Sequence, residues 1–208
     1  MRTESPSAAL YEVWAAQLQQ AVTRRALPAP VQNVMSAWPL YEVVLELAEP
    51  TAALFGPTPV ATRDALLRDT LQSAYRELAA QQGTDPARWS WGALHKVYFR
   101  HALDAAPGAA GLLDRGPVPR PGDGDVVQAT AFDPRTLEQT SGASYREIFD
   151  LSDWDNSIAI NVPGQSGQPG ARHYDDLLPL WSAGQYFPLR FSRAAVDAVT
   201  TDVLILKP

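Results

Sequence analysis

Eighteen proline residues divide this 208-residue chain into short segments. Most of them lie in four stretches, at positions 28–30, 50–59, 107–121 and 163–188. Because proline lacks a backbone N–H and fixes φ, it disrupts helix interiors and is excluded from central strands. Long regular elements are therefore possible only in the intervals that the prolines leave open.

The first of these intervals predicts a long amphipathic helix. Ser5 is placed to act as its N-cap, and Pro6 falls in the first turn, where its missing N–H costs nothing. Apolar residues then recur at three- and four-residue spacing as far as Leu27. This pattern predicts one helix face turned toward a core.

Three further helices are predicted before residue 84. Two short ones cover Val31–Met35 and Leu40–Leu47, separated by Pro39. A longer one covers Thr62–Gln82, and Gly83 supplies its C-terminal stop. Residues 1–84 are thus predicted to be a helical scaffold segment.

Residues 85–208 have the composition of a β-rich segment. Along His95–Arg100, the side chains at the odd-numbered positions differ in character from those at the even-numbered positions, which predicts a strand with two dissimilar faces. A helix is the competing interpretation of so short a run. Residues Ala106–Thr130 are rich in Gly, Pro and Asp and predict a long loop. Ala143–Leu151 and Ser157–Val162, joined by a polar turn, predict an antiparallel hairpin.

The last part of the chain alternates helix and strand signals. A helix is predicted over Tyr174–Ser182, near Pro179, and a short strand over Phe187–Phe191. Ser192 is predicted to cap a helical turn that runs through Val199, and Asp202–Leu206 to form a terminal strand. The resulting fold class is α+β.

Composition excludes several classes of function. The net charge of -6, without a cluster of Lys and Arg, argues against a nucleic-acid partner. The absence of cysteine excludes disulfides, thiolate metal sites and a Cys nucleophile within this chain. No apolar run approaches the roughly 18 residues of a membrane span, and the first residues lack the apolar core of a signal peptide. The compartment is left undetermined.

Several linked motifs, in one order along the chain, resemble the C-terminal part of the β-subunit of the penicillin acylase family, which includes penicillin, cephalosporin and acyl-homoserine-lactone acylases. The resemblance runs from Trp89 to the C-terminus and extends less strongly through the preceding helices. The motifs are Trp89–His95, Pro121–Asp125, Gly142–Asp153, Gly164–Gly167, His173–Asp176, Trp181, Gly184–Leu189 and Leu204–Pro208.

The resemblance implies a fold and an activity. The fold would be the C-terminal portion of an αββα N-terminal-nucleophile hydrolase sandwich, preceded by a helical segment. The activity would be hydrolysis of linear amides, with deacylation of β-lactam or N-acyl substrates by a serine at the start of the β-subunit. Met1-Arg2-Thr3 does not supply that serine. The chain is therefore expected to be an inactive fragment whose partners are the upstream acylase segments, and a small amide is expected to bind only to a complete enzyme.

One catalytic role is carried over from the resemblance. In the cephalosporin-acylase branch, a carboxylate late in the β-subunit orients a histidine near the nucleophile, and Asp150 is the matching position. The alternative is a strand-end carboxylate that accepts backbone hydrogen bonds. Arg146 lies four residues earlier on the predicted strand, so it shares a face with Asp150, and we expect it to form an internal ion pair with Asp150 or another group. The resemblance places the family's calcium ligands outside this chain, so no cofactor is expected.

Other candidate sites have simpler interpretations. His95 and His101 lack further metal ligands at suitable spacing. Asp123 and Asp125 do not begin an EF-hand pattern, so a solvated turn is predicted there. Ser166 lies in Gly-Gln-Ser-Gly-Gln, which departs from the Gly-x-Ser-x-Gly nucleophile elbow and predicts a tight turn.

The sequence is also compatible with two other functions. The chain could be a non-catalytic scaffold or binding module that retains the acylase C-terminal architecture. Its six tryptophans could also form a platform for carbohydrate, although large aromatic residues are most often buried in cores.

Overall fold

The computed structural model describes residues 1–32 and 37–206. Within these ranges it contains helices and strands, as the α+β prediction requires. The helices are α1 (Pro6–Ala26), α2 (Ala29–Gln32), α3 (Leu40–Ala48), α4 (Ala52–Phe55), α5 (Pro59–Gln82), α6 (Trp91–Leu94), α7 (Ala110–Leu113), α8 (Leu178–Ser182) and α9 (Arg193–Val199). The strands are β1 (Lys96–Phe99), β2 (Arg115–Pro119), β3 (Arg146–Ile148), β4 (Ile158–Ile160) and β5 (Phe187–Pro188).

The long N-terminal helix begins and ends as its sequence predicts. The Ser5 hydroxyl accepts a hydrogen bond from the N–H of Ala8, at 3.1 Å, which satisfies one of the free donors of the first turn. Arg24 and Arg25 lie in the last turn, where positive charge complements the helix dipole. Pro28 follows the residue at which the helix stops, consistent with its restriction of the preceding backbone.

Two of the other predicted N-terminal helices differ from the structure only at their ends. Helix α3 extends the predicted Leu40–Leu47 by one residue, and α5 begins three residues earlier than Thr62 because Pro59 fits the first helical turn. Gly83, with φ of 91°, ends α5. Of the predicted helix Val31–Met35, the part from 33 onward lies outside the described residues.

The described contacts divide the chain into two compact units that are not continuous in sequence. The first unit comprises Met1–Val97 and Pro119–Ser141, and the second comprises Tyr98–Val118 and Gly142–Pro208. The chain passes from one to the other within β1 and returns within β2, which pair as a two-stranded sheet. The predicted boundary after residue 84 separates helical sequence from β-rich sequence and does not describe compact units. It therefore stays a prediction.

Helices α1 and α5 form the core of the first unit. Small side chains on α1, including Ala8, Ala9 and Ala16, pack with Ala74 and Leu78 of α5. Their small volume allows close packing of the two backbones. The same core buries Trp89 and Trp91, so these two tryptophans cannot form an exposed carbohydrate platform.

The prediction of an unpaired loop over Ala106–Thr130 is wrong. The segment contains α7 and β2, and β2 pairs with β1. Arg115–Pro119 forms a strand despite its two prolines because β2 belongs to a two-stranded sheet, in which each strand has an unpaired edge that tolerates a missing N–H.

The remainder of that segment is also held in a defined conformation. The carbonyl of Gly122 accepts a hydrogen bond from Trp91 Nε1, at 2.8 Å, and the N–H of Thr130 donates to the carbonyl of Asp123, at 2.7 Å. Gly122 has φ of +83°, and a Cβ at this position would lie 2.0 Å from the carbonyl oxygen of Gln128. Only glycine fits this crossing of two backbone segments.

The second unit contains an antiparallel sheet in the order β3-β4-β5. Arg146 pairs with Ile160 and Ile148 with Ile158, which confirms the predicted hairpin, although both strands are shorter than predicted. Strand β5 and helices α8 and α9 likewise begin and end inside, or close to, their predicted ranges.

The predicted terminal strand is wrong. Residues 201–206 have no regular secondary structure, and Val203, Leu204, Ile205 and Leu206 are exposed. A β-prone sequence becomes a strand only when another strand supplies the partners for its N–H and C=O groups. No described strand pairs with this segment.

Candidate functional site

Asp150 lies immediately after β3, where its carboxylate organises a turn. Its Oδ1 accepts hydrogen bonds from the N–H of Ser152 at 2.9 Å, the hydroxyl of Ser152 at 2.6 Å and the N–H of Asp153 at 3.3 Å. These hydrogen bonds, with that of the Ser152 hydroxyl the strongest, lower the pKa of Asp150. The carboxylate is therefore ionised at neutral pH. The geometry fits the structural alternative, and the histidine-orienting role stays a prediction.

The expected ion pair of Arg146 is not observed among the described residues. The Arg146 guanidinium instead donates a hydrogen bond to the carbonyl of Trp181, at 2.6 Å. It also lies 5.5 Å from the centres of the Trp181 and Tyr186 rings, within range of a cation–π contact. The expected partner of Arg146 was a carboxylate, whereas the structure places the aromatic rings of Trp181 and Tyr186 beside its guanidinium.

The Gly/Ser turn that follows β4 has a structural role. The N–H groups of Gln165 and Ser166 both donate to the carbonyl of His173, each at 2.7 Å. A Cβ at Gly164 would lie 2.4 Å from the same oxygen. The hydroxyl of Ser166 accepts from the N–H of Gln168, at 3.1 Å. These contacts describe a tight turn whose hydroxyl stabilises local backbone.

His95 is fully buried in the first unit and is neutral. Its ring stacks on Trp91 with 4.6 Å between centres, and Nδ1 lies 3.0 Å from the carbonyl oxygen of Leu137. Since a carbonyl only accepts, Nδ1 carries the proton. Burial lowers the pKa of His95, and the hydrogen bond to Leu137 opposes this effect only in part. Across the described ranges, no group of three or more His, Cys, Asp or Glu residues is arranged to hold a metal ion.

A pair of buried carboxyl groups lies elsewhere in the first unit. Glu12, on α1, is 4% exposed, and Asp123 is 6% exposed. Asp123 lies close enough for its negative charge to oppose ionisation of the Glu12 carboxyl group. Burial, and then the negative charge of Asp123, raise the pKa of Glu12 to about 8. The proton therefore resides on Glu12 at neutral pH.

The predicted solvated turn at Asp123 and Asp125 is wrong for the first of these residues. Asp123 Oδ1 accepts a hydrogen bond from the N–H of Asp125, at 2.5 Å, and its side chain turns inward toward Glu12, whereas Asp125 is exposed. Sequence reasoning missed Glu12 altogether. The alanines of α1 were the available signal that Glu12 is buried. An Ala-rich helix buries a wider face than the positions of its large apolar residues indicate.

These acidic groups line one end of a cavity of about 490 Å³ in the first unit. Trp38, Leu40 and Phe132 contribute its apolar wall. The Oε1 atom of Glu12 is buried and has no hydrogen-bond partner among the described residues. The cavity therefore combines acidic residues with an apolar wall.

No helix in the described ranges is both long enough and apolar enough to cross a membrane.

Comparisons with known proteins identify one family. The family model described as penicillin amidase matches residues 1–198. The "Penicillin acylase 2 proenzyme" of Pseudomonas sp. (strain SE83) is 41% identical over 121 residues, which cover 55% of this chain and 15% of that protein. The "Acyl-homoserine lactone acylase QuiP" of Pseudomonas aeruginosa is 29% identical over 150 residues, covering 66% of this chain and 18% of the relative.

A solved structure also aligns with most of the chain. It is a thermostable penicillin G acylase from Alcaligenes faecalis, with a TM-score of 0.49 and 18% identity, covering 98% of this chain and 39% of that one. The match to the curated relatives spans less than a fifth of their length.

Proposed function

Because the chain belongs to the penicillin amidase family, we propose that it is the C-terminal part of an acylase that hydrolyses linear amides. The observation that carries this proposal is the family match over residues 1–198. The substrates would be N-acyl compounds, including β-lactams that carry an acyl side chain. The names of the relatives, a penicillin acylase and acyl-homoserine lactone acylases, support this class.

The nucleophile, in this proposal, belongs to another part of the acylase. The curated relatives are much longer than the region that this chain matches, and the family uses an N-terminal serine whose own amino group acts as the base. The 208 residues by themselves would therefore bind no substrate productively. Their role would be to complete the sheet and hold supporting groups.

A surface of the second unit supports association with further acylase segments. Phe149, Trp154 and Phe191 are all exposed, and the ring of Trp154 lies 5.8 Å from Phe149 and 5.1 Å from Phe191. Ile148 and Leu151 are exposed on the adjoining strand and turn. Clustered exposed apolar side chains are typical of a surface that another polypeptide covers.

Reconstitution tests the proposal. The chain would be co-expressed with a penicillin acylase relative truncated before the region that this chain matches, and hydrolysis of a chromogenic aryl-acyl amide would be measured. We expect no hydrolysis by either part alone and hydrolysis by the complex. Replacing both Trp154 and Phe191 by Ser is expected to weaken this association by at least about tenfold, because it removes two aromatic side chains that the partner would cover in the complex. The control is the double variant Trp154→Phe and Phe191→Leu, which keeps an apolar side chain at both positions.

Each other outcome has a definite meaning. A stable but inactive complex would favour the scaffold alternative. Failure to associate would contradict the proposed partner, and hydrolysis by the isolated chain would contradict the external nucleophile.

The same complex tests the proposed role of Asp150 as a carboxylate that orients a histidine. Asp150→Asn is expected to lower kcat by at least on the order of 100-fold with little change in KM, because the amide no longer stabilises the charged imidazole. Ser152→Ala is the matched control, since it removes a hydrogen bond to Oδ1 but keeps the carboxylate. Equal effects of the two variants would assign Asp150 a purely structural role.

A further inference from the structure

Helix α3 has two apolar sides, and one of them packs within the first unit. There, Val43 is fully buried against side chains of α1. On the opposite side, Tyr41, Val44 and Leu45 are 65%, 53% and 59% exposed. Residues three and four positions apart lie on the same side of a helix, so these three side chains and the exposed Ala48 form one surface, the outer face of α3.

The outer face of α3 has the composition of a buried surface. A helix in contact with solvent carries polar residues on its solvent side, whereas a helix that is apolar on both sides is typical of one that is buried on both. Single exposed apolar side chains are normal on a protein surface, but adjacent ones mark a place where another molecule binds. The outer face of α3 is therefore expected to be covered by another polypeptide.

The charges beside the outer face are negative. Helix α3 contains Glu42 and Glu46, both half-buried, and has no Lys or Arg in its sequence. Arg63 donates a hydrogen bond to a carbonyl in the last turn of α3, at 3.2 Å, but it is also paired with Asp64 at 2.8 Å. A partner that places Lys or Arg beside its own apolar side chains would complement these carboxylates.

The same charges argue against a second copy of this chain as the partner. Pairing of α3 with α3 of another copy would add two carboxylates to the contact and no cation, and like charges brought together oppose association. The chain matches less than a fifth of the length of its curated relatives. Acylase segments outside these 208 residues are thus the partner that the comparisons favour.

From these observations we infer that the outer face of α3 contacts an acylase segment outside this chain, one that presents apolar side chains with Lys or Arg beside them. The apolar side chains pack on Val44 and Leu45, and the basic groups lie near Glu42 and Glu46. The inference rests on the proposed function for its partner. It adds a contact surface in the first unit to the one proposed around Trp154 in the second.

Titration of the chain into the truncated penicillin acylase relative tests the inference. The double variant Val44→Thr and Leu45→Gln, which nearly preserves side-chain volume and helix propensity, is expected to weaken binding by at least about tenfold. The control is the double variant Val44→Ile and Leu45→Met, which stays apolar and is expected to bind as the native chain does. Because both side chains are exposed, neither variant is expected to shift the urea midpoint of the isolated chain.

A charge reversal tests the expected basic groups of the partner. Glu46→Lys is expected to weaken binding by at least about threefold at low salt, with a smaller loss at high salt. Glu77→Lys, at an exposed position on α5, changes the net charge by the same amount and is the control. Equal losses with the two variants would contradict the placement of basic groups beside α3.

Cysteine labelling locates the contact. The chain has no cysteine, so Val44→Cys places a single thiol on the outer face of α3. Its reaction with a maleimide is expected to be at least about tenfold slower in the complex than in the free chain, because the partner covers the thiol. The partner would carry Ser in place of any Cys. An unchanged rate would overturn the inference.

The outcomes separate this inference from the proposed function. Full affinity of the Val44→Thr and Leu45→Gln variant in a complex that hydrolyses the amide would overturn the inference and leave the proposed function intact. Weakened binding by that variant, in a native complex that hydrolyses no amide, would support the inference and favour the scaffold alternative. A dimer of the isolated chain that the same variant abolishes would overturn the inference, because a second copy would then cover α3. Failure of the native chain to associate would contradict both.

Discussion

Replacing Glu12 by Gln is expected to remove a loss of stability that the native protein suffers as the pH rises. Below the ordinary Glu pKa of 4.5, Glu12 is protonated in both the folded and the unfolded states. Between 4.5 and about 8 the unfolded chain releases this proton while the folded first unit retains it. The free energy of unfolding therefore falls across this interval and becomes constant above it.

The expected magnitude is large for a single side chain. One pKa unit corresponds to 1.36 kcal/mol, so the full shift amounts to at most about 5 kcal/mol. Gln has nearly the same volume as Glu and no ionisation, so its contribution to the free energy of unfolding does not change with pH. We expect native and variant proteins to have similar stability near pH 5, and the variant to be more stable by several kcal/mol at pH 9.

Urea unfolding at pH 5, 7 and 9 measures this effect, with tryptophan fluorescence as the signal, since Trp89 and Trp91 are buried in the first unit. Glu77→Gln is the control for loss of an exposed carboxylate. Parallel changes of native and Glu12→Gln stability between pH 5 and 9 would show that the proton is not held at Glu12.

Trp181→Ala is expected to lower the free energy of unfolding of the second unit by about 3–5 kcal/mol. Trp181 is 2% exposed, its ring lies edge-on to Phe99, and its Nε1 donates to the carbonyl of Ala143 at 3.0 Å. The guanidinium of Arg146 lies over the same ring. Alanine would remove the packing and leave the Ala143 carbonyl without its donor.

Trp154→Ala is the matched control in the same unit, because that side chain is 46% exposed. Its loss is expected to cost less than about 1 kcal/mol. Denaturant midpoints, measured by near-ultraviolet circular dichroism, compare the two variants. Similar costs would mean that Trp181 does not organise the interior of the second unit.

The local pattern of the chain predicted most of its helices because their signals lie close together in sequence. Ser5, Pro6 and Gly83 define helix ends through backbone groups within a few residues. The hairpin of β3 and β4 was likewise predictable, since a short polar turn joins two β-prone runs. Local pattern does not decide the terminal strand, because a strand depends on a partner that can lie anywhere in the chain.

The candidate sites divide in the same way. Asp150 and Ser166 form hydrogen bonds within their own turns, and those turns are readable from sequence. Glu12 and Asp123 are more than 100 residues apart, and no local pattern indicates that they meet. The contact arises because the loop around Gly122 folds back onto the N-terminal part of the first unit and brings Asp123 to α1.

By itself, the sequence determined the family, the helical N-terminal part, the hairpin and the tight turns around it, since each depends on residues that are neighbours along the chain or on linked motifs in order. Only the tertiary structure decided that 106–130 contains a paired strand, that Val203–Leu206 is unpaired, and that Glu12 is buried beside Asp123. Strand pairing and burial are relations between distant segments. The pKa of a carboxyl group depends on the solvent and charges that such segments leave around it.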